Sequence, residues 1–318
     1  MNNIENKILI RSMRDVFIDA LRIKMKENNR IFFVSADFGS PALDGLREEF
    51  KDRFINVGIA EQNLINVAAG LGLEGYIVYA YAIAPFITMR AYEQIRQNLS
   101  IASQINPINV NLIGVGAGLS YDMSGPTHHC LEDLSIMRLL PNFSVFSPSD
   151  WKLAENFIDY SINNNNPKYL RFDSKALPAI YENIENLDFE NGFYELAKGD
   201  KICLISTGYM THRALNTAKI LNNIGVIDIF MLKSINENSL FDKIKNYKYI
   251  ITIEEGFIGN GGLDSLVSKI ILDYQSGIRL KRFGINDKYV FELGDRNYLH
   301  KLNKLDENSI INEINKLS

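Results

Sequence analysis

Two clusters in the 318-residue sequence bring together side chains able to do chemistry. The first is Arg53–Gln62 (RFINVGIAEQ), where Glu61 follows a short strand pattern and a glycine turn and opens an apolar helix running from Leu64 to Leu73. An acid in the first turn of a helix is favoured by the helix dipole, and that alone accounts for a glutamate here. The same residue falls at the rim where strands end, and a carboxylate there with little polar company can share a proton with a ligand. The second cluster is Ser124–His129 (SGPTHH), which holds two of the four histidines. It follows the strand pattern Ile108–Gly114 through a loop carrying Gly116 and Gly118. Ligands of doubly wound sheets bind at the carboxyl ends of strands. The competing reading is a plain loop in which one histidine caps the next helix. Zinc fits poorly, because neighbouring histidines diverge and no Cys, His or Asp set stands nearby. Cys130 and Cys203 match no zinc spacing and form no disulfide framework.

The elements that must position these residues alternate along the chain. Strand patterns lie at Ile31–Ala36, Phe54–Val57, Tyr76–Ala80, Ile108–Gly114, Ser144–Ser147 and Tyr169–Phe172, with helical patterns at Glu61–Gly72, Pro85–Ser100, Leu131–Leu139 and Trp151–Asn163 between them. Short runs apolar on both faces suit a parallel sheet covered by helices. A polar stretch with Pro178, Gly192 and Gly199 then interrupts the pattern. Alternation resumes with strands at Lys201–Ser206, Val226–Met231, Tyr249–Glu254 and Ile278–Gly284 and helices at Thr211–Ile224, Asn238–Asn246 and Gly262–Leu272. The fold class is α/β in two domains, each a mostly parallel sheet flanked by helices: residues 1–175, a linker over 176–195, and residues 196–318. The Gly259–Gly262 cluster is no P-loop, since no Gly-Lys-Ser/Thr follows it. Glu254-Glu255 either solvates a loop or sits at an interface.

Composition narrows the classes further. Hydrophobic residues make up 46% and charged residues 23%, with a formal net charge of −4, so the chain is globular and lacks the basic footprint of a nucleic-acid binder. No apolar run approaches the roughly 20 residues of a membrane span, and the N-terminus has no signal-peptide pattern, so a cytoplasmic protein is expected.

Several segments resemble the transketolase family. Arg53–Gln62, Gly70-Leu71 within AAGLGLEG, Arg90–Arg96 (RAYEQIR) and Gly125–Asp150 are similar to its pyrimidine-binding domain, and Glu254–Leu263 (EEGFIGNGGL) resembles its C-terminal domain. The resemblance spans nearly the whole chain and implies a thiamine-diphosphate enzyme that moves a two-carbon ketol unit from a ketose to an aldose. Glu61 matches the glutamate that hydrogen-bonds N1′ of the cofactor's aminopyrimidine and favours its imino tautomer. Phe86 matches an aromatic residue stacked on that ring, and Ile83 stands in place of a second phenylalanine beside the cofactor. His128 matches the histidine that contacts substrate oxygens, and His129 follows it where relatives carry His or Gln. Arg171 matches a phosphate-binding arginine, with Arg14 a candidate second one. Asp37 falls in a segment near the cofactor.

The departures carry information too. Ser124 stands where transketolases usually have an aspartate that reads a sugar hydroxyl, and Gly116 where many have a substrate-binding histidine. With Ile83, these changes point away from the standard pentose phosphates and toward another sugar. No Gly-Asp-Gly motif followed by Asn is present to hold Mg²⁺ and the diphosphate; Gly294-Asp295-Arg296-Asn297 is the nearest string. No metal ligands are therefore assigned to this chain. The resemblance implies the C-terminal half of a split transketolase, active only with an N-terminal subunit that holds Mg²⁺ and the diphosphate, in an α2β2 assembly around a dimer core. Three alternatives stand beside it: a 1-deoxyxylulose-5-phosphate synthase-like activity, a 2-oxoacid dehydrogenase E1 β-like subunit, and a non-catalytic scaffold.

Overall fold

The computed structural model describes residues 9–181 and 187–317; residues 182–186 of the expected linker and 1–8 of the expected first domain lie outside the described residues. The chain opens with β1 (Ile10–Ser12), α1 (Met13–Glu27), β2 (Ile31–Ser35), α2 (Pro41–Glu49), β3 (Phe54–Asn56), α3 (Glu61–Leu73) and β4 (Ile77–Ile83). π-helical turns at Phe86–Arg90 and Ile95–Ile101 then flank a single α-turn, α4 (Tyr92–Gln94). Next come β5 (Val110–Val115), α5 (Asp133–Leu139), β6 (Ser144–Phe146), α6 (Trp151–Asn163), β7 (Lys168–Phe172) and β8 (Ala176–Pro178). The second half runs β9 (Phe193–Ala197), β10 (Ile202–Ser206), α7 (Met210–Leu221), β11 (Ile224–Ile229), β12 (Met231–Lys233) and α8 (Glu237–Ile244). It closes with β13 (Tyr249–Phe257), α9 (Leu263–Asp273), β14 (Arg279–Ile285), α10 (Arg296–Leu302) and α11 (Glu307–Asn315).

These strands build two main sheets. The seven-stranded sheet has the order β12-β6-β7-β5-β4-β2-β3 and is parallel except for β12. The five-stranded sheet has the order β14-β13-β10-β11-β9 and is parallel except for β9. β4 shows why the first sheet is covered on both faces. Val78, Ala80 and Ala82 enter one apolar cluster, while Tyr79 and Tyr81 enter the cluster formed with α1, α2 and α6. That is the two-residue alternation of a doubly buried strand. Parallel pairing also brings the residues after β2, β3, β4, β5 and β7 to one edge of the sheet, where Asp37, Glu61, Phe86, Gly116 and the Asp173–Lys175 segment lie.

The two halves are not simply joined end to end. β8, within the stretch expected to be a linker, pairs antiparallel with β1, and β9 begins at Phe193 within that same stretch. β12 comes from the second half yet adds an edge strand to the first sheet through β6. Helix α7 ends at Leu221, not Ile224, because Asn222 and Asn223 adopt positive φ of 54° and 50° and turn the chain directly into β11.

Asp228 on β11 is an acidic group at the junction, fully buried and receiving hydrogen bonds from Ser149, Tyr181 and Thr211. Burial pushes its pKa up to about 7 against the pull of those three hydroxyls. Because the folded pKa is raised, the folded state retains a proton that the unfolded chain has released, and stability falls as pH rises from about 4 through about 7. Asp228→Asn removes this dependence. The variant's unfolding free energy, measured in urea across that window, should gain on the wild type by about 1 kcal/mol per pH unit, whereas parallel pH profiles would contradict the assignment.

Candidate functional site

Glu61 is the first residue of α3, which starts without a side-chain cap at Ala60. The turn into it uses Gly58 at φ +75°, a backbone region that glycine enters freely. Asn56 bridges the entry, giving a hydrogen bond to Asp37 at 2.8 Å and accepting one from the Gly58 N–H at 2.9 Å. Asp37 itself is exposed. Glu61 is 3% exposed, and its Oε2 receives Arg90 Nη1 at 2.8 Å. Its Oε1 takes no side-chain hydrogen bond from the described residues, so one carboxylate oxygen stays free for a ligand donor.

A π-helical turn continues the row. In Phe86–Arg90 the guanidinium of Arg90 lies over the Phe86 ring at 4.5 Å. The other neighbour of Phe86 is His128, edge-on at 5.3 Å, and His128 in turn meets Tyr121 edge-on at 6.1 Å. Nδ1 of His128 is 3.0 Å from the Thr127 hydroxyl. Ile83 ends β4, half-buried, three residues before Phe86. A buried carboxylate with one open oxygen beside a half-buried aromatic ring fits a flat, protonated heteroaromatic ring such as an aminopyrimidine.

The row leads from Tyr121 into an open cavity of about 360 Å³ lined by Arg14, Phe38, Tyr121, Asp122, Ser124 and Lys175, among others, so that its two cations stand beside one carboxylate. Arg14 Nε donates to Asp15 at 2.7 Å, and Lys175 Nζ to Asp122 at 2.9 Å, with the Lys175 side chain 48% exposed. Gly116 cannot be another residue here. Its φ is +110°, and a Cβ would lie 2.3 Å from the Tyr121 ring. The side chain missing at position 116 is thus matched by a ring from position 121.

Two expected substrate contacts do not fit their surroundings. Arg171 is 3% exposed, and its guanidinium is committed to Asp133 Oδ2 at 2.7 Å and to the carbonyls of Cys130 and Glu255 at 3.1 and 3.2 Å. It locks the loop before α5 to β7 and β13, and no phosphate reaches it without breaking a buried ion pair. His129 is also 3% exposed, with neither ring nitrogen hydrogen-bonded among the described residues. Burial lowers its pKa, opposed by the Asp122 carbonyl and by the charges of Glu255 and Asp122. It packs inside the loop, and His128 alone presents a ring toward Phe86. Sequence reasoning missed Arg90, Tyr121 and Lys175. Arg90 stands within the motif quoted for the family without being given a role. Lys175 lies four residues after Arg171, a second cation just past the same strand end. Among the described residues no group of three or more His, Cys, Asp or Glu is placed to hold a metal ion, and no helix is long and apolar enough to cross a membrane.

The profile of the transketolase pyrimidine-binding domain matches residues 11–179, and that of the transketolase C-terminal domain matches residues 194–310. This chain belongs to the transketolase family. The family depends on thiamine diphosphate. The chain is 37% identical over 269 residues to an apulose-4-phosphate transketolase subunit of Actinobacillus succinogenes, covering 83% of this chain and 84% of that one. It is 32% identical over 310 residues to a putative transketolase C-terminal section of Methanocaldococcus jannaschii, covering 96% and 95%. Among solved structures it resembles a split-gene transketolase described as an inactive β4 tetramer, with TM-score 0.86 and 29% identity over 96% of this chain and 98% of that one.

The buried role of Arg171 has a direct test. Arg171→Met leaves Asp133 buried without its cation and should cost about 3–5 kcal/mol in chemical denaturation. Adding Asp133→Asn should recover most of that loss, because the uncompensated charge is then gone while the buried Tyr169 hydroxyl keeps an acceptor. No recovery in the double variant would show that Arg171 acts elsewhere.

Proposed function

We propose that this chain is the C-terminal subunit of a split transketolase, completed by an N-terminal subunit that holds Mg²⁺ and the diphosphate of the cofactor. The observation carrying this reading is the continuous row Glu61–Arg90–Phe86–His128–Tyr121, which ends in a cavity flanked by two cations. The split is supported by relatives of nearly equal length whose names describe a subunit or a section. A two-fold core of this chain bound to two partners, α2β2, is the proposed assembly, and the cytoplasm its proposed location. We place the boundary between the pyrimidine-binding and C-terminal domains in the stretch between β8 and β9.

Thiamine diphosphate supplies the electron sink that lets a two-carbon unit leave a ketose and join an aldose. Glu61 Oε1 holds the proton at the pyrimidine N1′ position, while Arg90 fixes Oε2 and keeps the carboxylate from turning away. Phe86 and Ile83 give the ring an apolar wall. His128 donates a hydrogen bond to a substrate oxygen as negative charge develops there. Ser124 offers a short, uncharged contact to a sugar hydroxyl. Arg14 and Lys175 take the anionic end of the substrate, the task first expected of Arg171. The name of the Actinobacillus relative includes a sugar phosphate, which agrees with an anion at that end.

Two substitutions test this assignment in the complex reconstituted with the partner. Glu61→Ala should leave assembly intact and lower turnover by about 10²–10⁴-fold. Lys175→Met should raise KM for a phosphorylated ketose by about 10–100-fold with little change in kcat. Unchanged turnover in Glu61→Ala would favour a scaffold role, and an unchanged KM in Lys175→Met would remove the anion subsite.

A further inference from the structure

Arg296 belongs to the C-terminal half, in the Gly294–Asn297 string, which the proposed chemistry does not use. It opens α10 and is buried. Its fork is filled on both sides: Nε reaches Glu255 Oε1 at 2.8 Å, Nη2 reaches Glu255 Oε2 at 2.6 Å, and Nη1 reaches Asp173 Oδ2 at 2.6 Å. The guanidinium lies 3.7 Å from the centre of the Tyr209 ring. His300 adds a hydrogen bond to Glu255 Oε1; because its Nδ1 accepts from Arg213 Nε at 3.3 Å, its Nε2–H is the donor.

The consequence appears in the carboxylates. Asp173 gives one oxygen to Arg296 and the other, Oδ1, to the backbone N–H of Lys175 at 2.8 Å. Asp122 receives the backbone N–H of Arg296 on Oδ2 at 3.0 Å and Lys175 Nζ on Oδ1 at 2.9 Å. Lys175 is therefore held at its backbone and at its ammonium by two acids, each of which has its second oxygen on Arg296. Glu255 anchors the opposite side of the cavity loop, receiving the Leu119 N–H at 3.2 Å. Gly118, at φ +56°, permits this approach, since a Cβ there would fall 2.0 Å from Glu255 Oε2. Burial disfavours the Glu255 carboxylate, but Arg296 and His300 outweigh it and hold its pKa well below the ordinary range.

We infer that Arg296 is a positioning residue for the substrate's anionic group: from the C-terminal half it fixes, through Asp122 and Asp173, where the Lys175 ammonium stands. The inference rests on the reading of Arg14 and Lys175 as the anion subsite. It makes the C-terminal half a determinant of substrate affinity, although Arg296 itself is shielded from the cavity by the carboxylates it holds.

The test uses the reconstituted complex saturated with thiamine diphosphate and Mg²⁺, with inorganic phosphate as probe, followed by ³¹P NMR titration. Lysine keeps the charge of Arg296 but cannot hold Glu255 and Asp173 together in a fork. Arg296→Lys should weaken phosphate binding about tenfold, as Lys175→Met does, while thiamine diphosphate affinity stays unchanged. Asp122→Asn, which keeps an acceptor for the Arg296 N–H but removes the charge facing Lys175, should show the same selective loss and decides the matter where Arg296→Lys does not assemble. Phosphate binding unaltered or strengthened in Asp122→Asn or Arg296→Lys, or weakened in step with cofactor affinity, overturns the positioning role. Phosphate binding unaltered in Lys175→Met removes the subsite itself, a separate failure.

Discussion

A carboxylate sealed at the start of a helix is the constraint around which the first domain is arranged. Glu61 is nearly closed off from solvent, and its compensation is limited to one arginine and the uncapped end of α3. That arginine must come from a second element at the right height. The π-helical turn after β4 supplies it and sets Phe86 beneath the same guanidinium. Such turns are rare and often occur at functional sites. An ordinary core would place an apolar side chain at position 61. A glutamate there, held by Arg90 through one oxygen only, leaves the other for a ligand donor.

The second half is joined to the first by a shared apolar core, in which Leu134 and Met137 cluster with Ile229, Leu232 and Leu263, and by a network of buried charge. Around Arg296 and Glu255, buried acids and bases from β13, α10, the end of β7 and the loop after β5 are tied into one network. Buried ion pairs contribute little net stability compared with apolar packing but penalise misplacement heavily, so they define position better than they add strength. Arg171 makes a parallel link, joining Asp133, Cys130 and Glu255. The cavity loop is therefore held from beneath by two arginines that face away from the cavity.

The patterns at β2 and β4 to β7 were legible because those strands are buried on both faces, whereas the edge strand β3 leaves Asn56 exposed. α6 matches its pattern from Trp151 to Asn163 because Asp150 caps it and Asn164 ends it. The helix α1 was missed even though Val16, Phe17 and Leu21 share its buried side; its start at Ser12 is marked only by a side-chain cap on Asp15. Short β1, β8 and β12 exist through pairing with distant partners, which no local pattern records. In the site, Glu61 and His128 were picked out by strand-end position and the resemblance, and Phe86 by the resemblance alone; the structure sets the three side chains in one row. Arg171 misled because an arginine at a strand end reads the same whether its partner is a phosphate or a buried aspartate 38 residues earlier in the chain. Lys175 and Arg296 were invisible for the converse reason: their meaning lies in carboxylates brought together only by the packing of two sheets.

On the proposed reading, Glu61 forms half of a cofactor site whose other half belongs to another polypeptide. Calorimetric titration of Mg²⁺ and thiamine diphosphate into this chain, into its partner and into their mixture tests it most directly. Saturable, stoichiometric binding at full affinity is expected in the mixture alone, lost there in Glu61→Ala. Equally tight binding by this chain in isolation would contradict it.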